Sequence, residues 1–300
     1  MRIAIAGGSG FLGSTLTDYF LEAGHEVFIL TRKKKESGRT GITYVQWLED
    51  ESEPEKELRD IHAFINLAGE SLNSGRWTEE RKERLLMSRL VAAEEAVRIM
   101  ESLPVKPAVH IAASAVGFYG TSDEKTFTEE SSHGNDFLAS LVKMWEEVSS
   151  KTEAFGIRTV FCRFGIILDK AEGALPRMLL PYKFFGGGTV GSGRQWVSWI
   201  HRDDAVGGIV FAMENGGLKG PLNFTAPHPA QMKEFGTVIG KALGRPHWLP
   251  VPGIALKVLL GEMSTLVLNG QRVIPRNLLD AGYTFRYPHL QEALDNLLAD

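Results

Sequence analysis

A chain of 300 residues, 43% of them hydrophobic and 23% charged, has ordinary globular composition and length enough for one large domain or a domain with an appended lobe. The formal net charge of −4 shows no basic excess, which argues against nucleic acid as a partner. A lone cysteine, Cys162, lies in the apolar run Thr159-Val160-Phe161-Cys162; it excludes an intrachain disulfide framework, fits a reducing compartment and reads as a small buried hydrophobe.

The first element is a strand over Arg2 to Ala6. It runs at once into a glycine turn, too early for the apolar stretch and cleavage site of a secretory signal, so a cytoplasmic location is expected. The segment Gly7-Gly8-Ser9-Gly10-Phe11-Leu12-Gly13 then opens a helix in which Leu12, Leu16, Tyr19 and Phe20 recur at helical spacing, with Gly24 as its stop. Gly7 permits a tight turn, Gly10 lets the backbone approach a pyrophosphate, and Gly13 lets helix pack closely on strand, so the helix amino terminus is aimed at negative charge. Set between a strand and a helix, the spacing G-x-x-G-x-x-G resembles that of the extended short-chain dehydrogenases and nucleotide-sugar epimerases. Gly7, Ser9, Gly10, Phe11, Leu12 and Gly13 are therefore expected to hold a dinucleotide.

A second strand, Glu26 to Leu30, leads into Thr31-Arg32-Lys33-Lys34-Lys35. An NAD-selective site commonly places an acid here for the ribose hydroxyls. An acid would repel a 2′-phosphate, whereas Arg32 can fork two hydrogen bonds to one, with Thr31 or Lys33 beside it. NADP(H) is the expected cofactor, and Lys34 and Lys35 read as solvated loop. Strands over Ile42 to Gln46 and Ala63 to Leu67 follow. At the exit of the latter, Asn66-Leu67-Ala68-Gly69-Glu70 resembles the N-x-A-G element of the same superfamily, which makes Leu67, Ala68 and Gly69 expected cofactor contacts. A long helix opens at Thr78, whose hydroxyl can cap it ahead of Glu79 and Glu80, and reaches Glu101; Arg89 on this helix can reach a cofactor phosphate.

The fifth strand, Val109 to Ala113, ends in Ser114-Ala115-Val116-Gly117-Phe118-Tyr119-Gly120, which resembles the Ser-to-Val-Tyr-Gly segment of that superfamily. There, a serine orients the reacting oxygen and a Tyr-x-x-x-Lys pair on the next helix supplies acid and base, the lysine favouring the ionised form of a tyrosine that otherwise titrates near pH ~10. Ser114 is present, but the pair is not. The next helix, drawn from Asn135 to Phe155 with Phe137, Leu141, Met144, Trp145 and Val148 on one side, offers Lys143, yet Ala139 stands four residues before it. No tyrosine of the chain has a lysine four residues later, which leaves Ser114 and Tyr119 as the catalytic candidates.

A sixth strand, Thr159 to Phe164, precedes a glycine- and proline-rich stretch from Gly173 to Gly193. It reads as a long, mobile functional loop near Arg163 and Arg194, two arginines suited to an anionic substrate group. His201-Arg202-Asp203-Asp204 reads as a helix start capped by an aspartate, and no metal is expected there or elsewhere. The apolar run Ile254 to Leu260 contains Lys257, falls well short of the ~20 residues that span a bilayer, and reads as a core helix.

Alternating strands and helices predict an α/β fold, a Rossmann-type doubly wound parallel sheet with a smaller, mainly helical carboxyl-terminal lobe. Residues 1–170, rejoined by 194–225, are expected to form the NADP-binding domain, and 171–193 with 226–300 a substrate-side lobe. The runs Gly191 to Trp196, Trp199-Ile200-His201, Leu268-Asn269-Gly270-Gln271-Arg272-Val273-Ile274-Pro275 and Ala281-Gly282-Tyr283-Thr284-Phe285 resemble a narrower group. These are atypical short-chain dehydrogenase-like proteins of the epimerase family that end in a domain of unknown function, sometimes labelled cell-division inhibitors or nucleoside-diphosphate-sugar epimerases. The resemblance covers nearly the whole chain. It implies an NADP site without the Tyr-Lys pair, lined by Thr31, Arg32, Leu67, Ala68, Arg89 and Ile167. Two readings stay open: an NADP(H)-dependent reductase or epimerase acting on a small polar or sugar-like substrate, and a non-catalytic NADPH-binding regulatory or sensor protein. The expected partner is that small molecule, with no nucleic acid and no membrane, and either a monomer or a homodimer is compatible with the sequence.

Overall fold

The computed structural model describes residues 1–33 and 35–299, so the expectation for Lys34 falls outside the described residues. Seven parallel strands build the main sheet: β1 (Arg2–Ala6), β2 (Glu26–Thr31), β3 (Ile42–Gln46), β4 (Ala63–Asn66), β5 (Val109–Ala115), β6 (Arg158–Phe164) and β7 (Gly220–Phe224). Their spatial order is β7-β6-β5-β4-β1-β2-β3. The chain starts at the centre, winds out to β3, and returns past β1 to lay down the other half, which is the doubly wound Rossmann arrangement. The central strand β1 is apolar from Ile3 onward because helices cover both faces; Ile3, Ala4, Ile5 and Ala6 are fully buried.

On one face, α1 (Phe11–Glu22) and α5 (Arg202–Glu214) pack with Ile3, Ile5 and Ile29. Leu12, Leu16 and Phe20 of α1 point inward, each stabilising the fold by roughly 1.5–3 kcal/mol. Gly24 ends the helix as the sequence implied: at φ +75° it sends its N–H to the Leu21 carbonyl while the His25 N–H reaches that of Phe20. On the other face, α2 (Glu79–Ser102) covers Ala4, Phe28 and Phe64 and packs against α3 (Phe137–Ser149). Thr78 caps α2 by accepting the Arg81 N–H at 3.1 Å.

The carboxyl-terminal region is mainly helical. A second core gathers Leu179 of α4 (Leu175–Lys183), Phe235 of α6 (Met232–Leu243) and Leu294 of α8 (Leu290–Leu298) around Trp199. Between α6 and α8 lies α7 (Gly253–Leu260). Residues Ala281 to Phe285 instead pack back onto the main core, and the Tyr283 hydroxyl lies against α5 where only a glycine, Gly207, leaves it room.

Several expectations need correction. β7 was not foreseen: it begins with Gly220 and Pro221, and an edge strand tolerates a proline that a central strand would not. The stretch Gly173 to Gly193 contains α4, and its glycines serve close packing. A methyl on Gly188 would lie 1.7 Å from the Leu249 carbonyl oxygen, so this segment packs closely against residues 247–251 and is not one long loop. Met144 faces solvent, with Leu141, Val142 and Trp145 forming the inner side of α3. The cap of α5 is His201, whose ring accepts the Asp203 N–H, and Asp204 instead accepts the backbone N–H groups of Arg286 and Tyr287. Finally, α7 is a helix but not a core helix: none of its residues is buried, and Ile254 is 77% exposed.

Candidate functional site

The strand register brings the anticipated residues to one crevice at the carboxyl end of the sheet. Ala6 pairs with Leu30 on one side and Asn66 on the other, which sets Thr31 and Arg32, and likewise Leu67 and Ala68, abreast of the turn that begins at Gly7. The order reverses between β1 and β4, the place where open α/β sheets receive ligands.

The turn is shaped for an anion. Gly7 adopts φ +80°, and a side chain there would come within 3.0 Å of the Leu67 carbonyl. At Gly13 a methyl would stand 2.1 Å from the Gly7 oxygen, so helix and turn touch only because no side chain intervenes. Gly10 precedes α1 with no side-chain cap and no acid follows in the first turn, leaving the leading N–H groups of a twelve-residue helix for a ligand. Ser9 and Gly10 are exposed, Phe11 is half-buried, and Leu12 commits its side chain to the core, so only its backbone can serve. Thr31 is half-buried and Arg32 extends into solvent. Ile167 forms the opposite wall on the short strand Ile166–Leu168; Gly173 bridges the two sides, since its added methyl would meet the Ile167 oxygen at 3.3 Å and the Phe11 ring at 3.6 Å.

Asn66 braces the β4 exit, accepting the Ala68 N–H at 3.1 Å and donating to the Ala92 carbonyl on α2. Gly69 lets the Arg89 side chain pass, with its guanidinium carbon 3.4 Å from where a methyl would sit. Arg89 is buried and donates only to the carbonyls of Leu85 and Glu70, with the Trp145 ring 5.3 Å away; burial lowers its pKa to about 10. Its neighbours Arg81 and Arg84 both engage the Glu70 carboxylate, whose pKa those hydrogen bonds hold down at about 2. Arg89 thus carries a desolvated charge with no carboxylate in salt-bridge contact among the described residues, and Glu70, engaged by Arg81 and Arg84, attracts it only from farther off.

Deeper along the crevice, Ser114 on β5 stands opposite Arg163 on β6. The Ser114 hydroxyl donates to Glu146 of α3 at 2.5 Å, and Arg163 holds the same carboxylate through both oxygens, each at 2.8 Å. The remaining Arg163 nitrogen donates to the Tyr119 hydroxyl at 2.9 Å, which in turn donates to Asn223 at 2.7 Å. Two expectations change here. Tyr119 is a buried strut stacked on Phe127, its hydroxyl committed at both ends and pushed by burial up to about 12, which leaves it unsuited to proton transfer with a ligand. Arg163 is consumed by Glu146 and lies 3.5 Å over the Phe118 ring, so it is no receptor for an anionic substrate. Lys143 points to solvent beside Glu147 and cannot replace the missing lysine.

Glu146 is the site residue that sequence reasoning missed. Its one signal was an acid falling on the same stripe of α3 as Leu138 and Val142, where an amphipathic helix should be apolar. Among the described residues no cluster of three or more histidine, cysteine or carboxylate side chains could hold a metal, and no helix is long and apolar enough to cross a membrane.

Comparison with known proteins agrees with this geometry. Residues 3–223 match the NAD dependent epimerase/dehydratase family, and residues 251–297 match a domain of unknown function, DUF1731. The chain is 50% identical to the epimerase family protein YfhF of Bacillus subtilis, over 100% of this chain and 99% of that one. The crystal structure of the human epimerase family protein SDR39U1 with NADPH superposes with a TM-score of 0.88 at 32% identity, covering 99% of each chain. A nucleoside-diphosphate sugar epimerase from Corynebacterium glutamicum gives 0.81 at 28% identity, over 99% of this chain and 58% of that one.

Proposed function

Because the chain belongs to the NAD dependent epimerase/dehydratase family, we propose that it is an NADP(H)-binding oxidoreductase or epimerase acting on a small polar or sugar-like substrate. The observation that carries the cofactor choice is Arg32, exposed and abreast of the Gly7 turn at the position where an NAD site would hold an acid. The NADPH in the human relative's crystal supports the same choice.

The residues present suit the dinucleotide. The uncapped start of α1 would receive the diphosphate, Arg32 and Thr31 would hold the 2′-phosphate, Leu67, Ala68 and Gly69 would border the adenosine side, and Arg89, which has no salt-bridge partner among the described residues, would meet a phosphate. Once bound, the nicotinamide supplies or accepts hydride. Ser114 is as buried as Tyr119, but its hydroxyl is committed at one end only; it would orient the substrate oxygen and exchange a proton with it, while Glu146, anchored by Arg163, would receive or return the serine proton. That arrangement answers the absence of the Tyr-Lys pair with a carboxylate-backed hydroxyl.

Calorimetry with NADPH and NADH tests the cofactor: Arg32→Glu should weaken NADPH far more than NADH, and an equal effect on both contradicts the phosphate role. For the reaction, the NADPH complex is mixed with aldehydes, ketones and nucleotide sugars while the reduced nicotinamide absorbance is followed, with a product assay for epimerisation. The burial of Tyr119 favours a second reading, a non-catalytic NADPH-dependent regulator, and inertness toward every compound in both assays selects it.

A further inference from the structure

The exposed apolar residues of this chain are concentrated. Phe184 and Phe185 follow α4, Trp248 and Leu249 lie on the neighbouring segment, and Ile254 and Val258 extend from α7; all six are exposed, Phe184 to 77%, Trp248 to 68% and Val258 to 73%. The first two pairs form one surface. The N–H groups of Trp248 and Leu249 both donate to the Gly187 carbonyl, and the Trp248 indole donates to that of Phe185 at 2.9 Å. The same pairing continues through Val190 and Val251 directly into α7.

Charge on these segments is one-sided. The chain as a whole is acidic, yet residues 173–201 and 235–261 contain no aspartate or glutamate. They carry the exposed cations Lys183, Lys241, Arg245 and Lys257, and the Arg245 guanidinium lies 4.3 Å over the Phe185 ring. The acids that flank these segments are Glu172, Asp203, Glu234 and Glu262, of which Glu262 is taken by Lys82 and Asp203 lies beside Arg202 and Arg286. A second copy of this face would bring like charges together, which disfavours a symmetric dimer through it. Aromatic and aliphatic tips interleaved with lysine and arginine match the interface of an anionic bilayer, where ring and chain enter the acyl boundary and the cations meet lipid phosphates. A chain with no bilayer-spanning helix can still rest on such a surface.

We propose that the surface formed by Phe184, Phe185, Trp248, Leu249 and α7 docks the protein on anionic membrane lipid. This is independent of the reaction assigned above. The test is flotation of the full-length protein with vesicles of phosphatidylcholine alone and of phosphatidylcholine with phosphatidylglycerol. Expected is partition onto the anionic vesicles only, released when salt shortens the Debye length to about 3 Å. Both Phe184→Ser with Trp248→Ser and Lys183→Glu with Arg245→Glu should weaken it at least about tenfold, given the attraction each cation adds at such a surface. All four substituted side chains are exposed, and unchanged thermal melts and NADPH binding verify that the variants are folded. Absence of partition onto anionic vesicles overturns the proposal, as does wild-type partition in both variants. A wild-type dimer that these same substitutions convert to monomer overturns it too, by showing that a second copy covers this face.

Discussion

Arg89→Met separates what this arginine does for the fold from what it does for a bound dinucleotide. Burial lowers the guanidinium pKa from its ordinary value to about 10, and at about 1.4 kcal/mol per tenfold the buried charge costs the empty protein on the order of 3 kcal/mol. Its hydrogen bonds to the Leu85 and Glu70 carbonyls return about 1 kcal/mol each, and the Trp145 ring about as much again. These opposing contributions nearly cancel, so methionine, of similar length and uncharged, should leave the melting temperature of the empty protein within about 4 °C of wild type. The folded pKa lies below the unfolded one, so the penalty applies in full below about pH 10 and is relieved only as pH rises from there toward the ordinary guanidinium value; it is constant at neutral pH. A phosphate changes the sum. A charge-assisted hydrogen bond from this desolvated group contributes about 1.5–3 kcal/mol, so the variant should bind NADPH roughly 10- to 100-fold more weakly by calorimetry. It should also lose the matching part of the ligand-induced rise in melting temperature. NADPH affinity within about threefold of wild type would refute the reasoning.

Two further substitutions test the interior. Glu146→Gln strips the buried Arg163 of its counter-charge and should cost about 3–5 kcal/mol, seen as a clear drop in melting temperature, whereas Ser114→Ala leaves the ion pair whole and should melt near wild type; the reverse ranking contradicts Glu146 as the anchor. His110 is fully buried on β5, where desolvation lowers its pKa to about 3. Its folded value lies below the unfolded one, so its contribution is intact above pH 6.5 and falls away below, by about 2 kcal/mol at pH 5. His110→Gln should shrink the difference between the unfolding free energies obtained from urea titrations at about pH 7 and pH 5 by that amount, and an undiminished difference rules the histidine out as the acid-sensitive group.

What could be read from the sequence was whatever physics writes locally. β1, β2 and β4 announce themselves as short apolar runs because both faces of a parallel sheet are covered, and the Gly7-Gly10-Gly13 turn is visible because each glycine answers a contact within a few residues or with the next strand. Thr78 and Gly24 punctuate their helices by nearest-neighbour hydrogen bonds. The rest depends on partners distant along the chain. Glu146 and Arg163 meet across a helix and a strand at no characteristic spacing, and Tyr119 is withdrawn from the crevice by Asn223. Hydropathy marks Ile254 to Leu260 as a helix that avoids water, yet burial is decided by whether another element arrives to cover it, and among the described residues none does. Pro221 is excused in β7 by an edge position that belongs to the assembled sheet.

Asp204 has a consequence for how firmly the two matched regions are joined. Its carboxylate, at the start of α5, gathers the main-chain N–H groups of Arg286 and Tyr287, while Phe285 and Leu278 enter the same oil-like interior as β1 and α1. The tail is therefore stitched to the nucleotide fold by two backbone contacts, which do not depend on the identity of the residues supplying them, together with the Leu278, Tyr283 and Phe285 side chains, which do. A scanning calorimeter should record one heat-absorption peak, not two. Exchanging tails between relatives should succeed wherever that aspartate and the glycine at Gly207 are kept, however much the intervening helices have drifted.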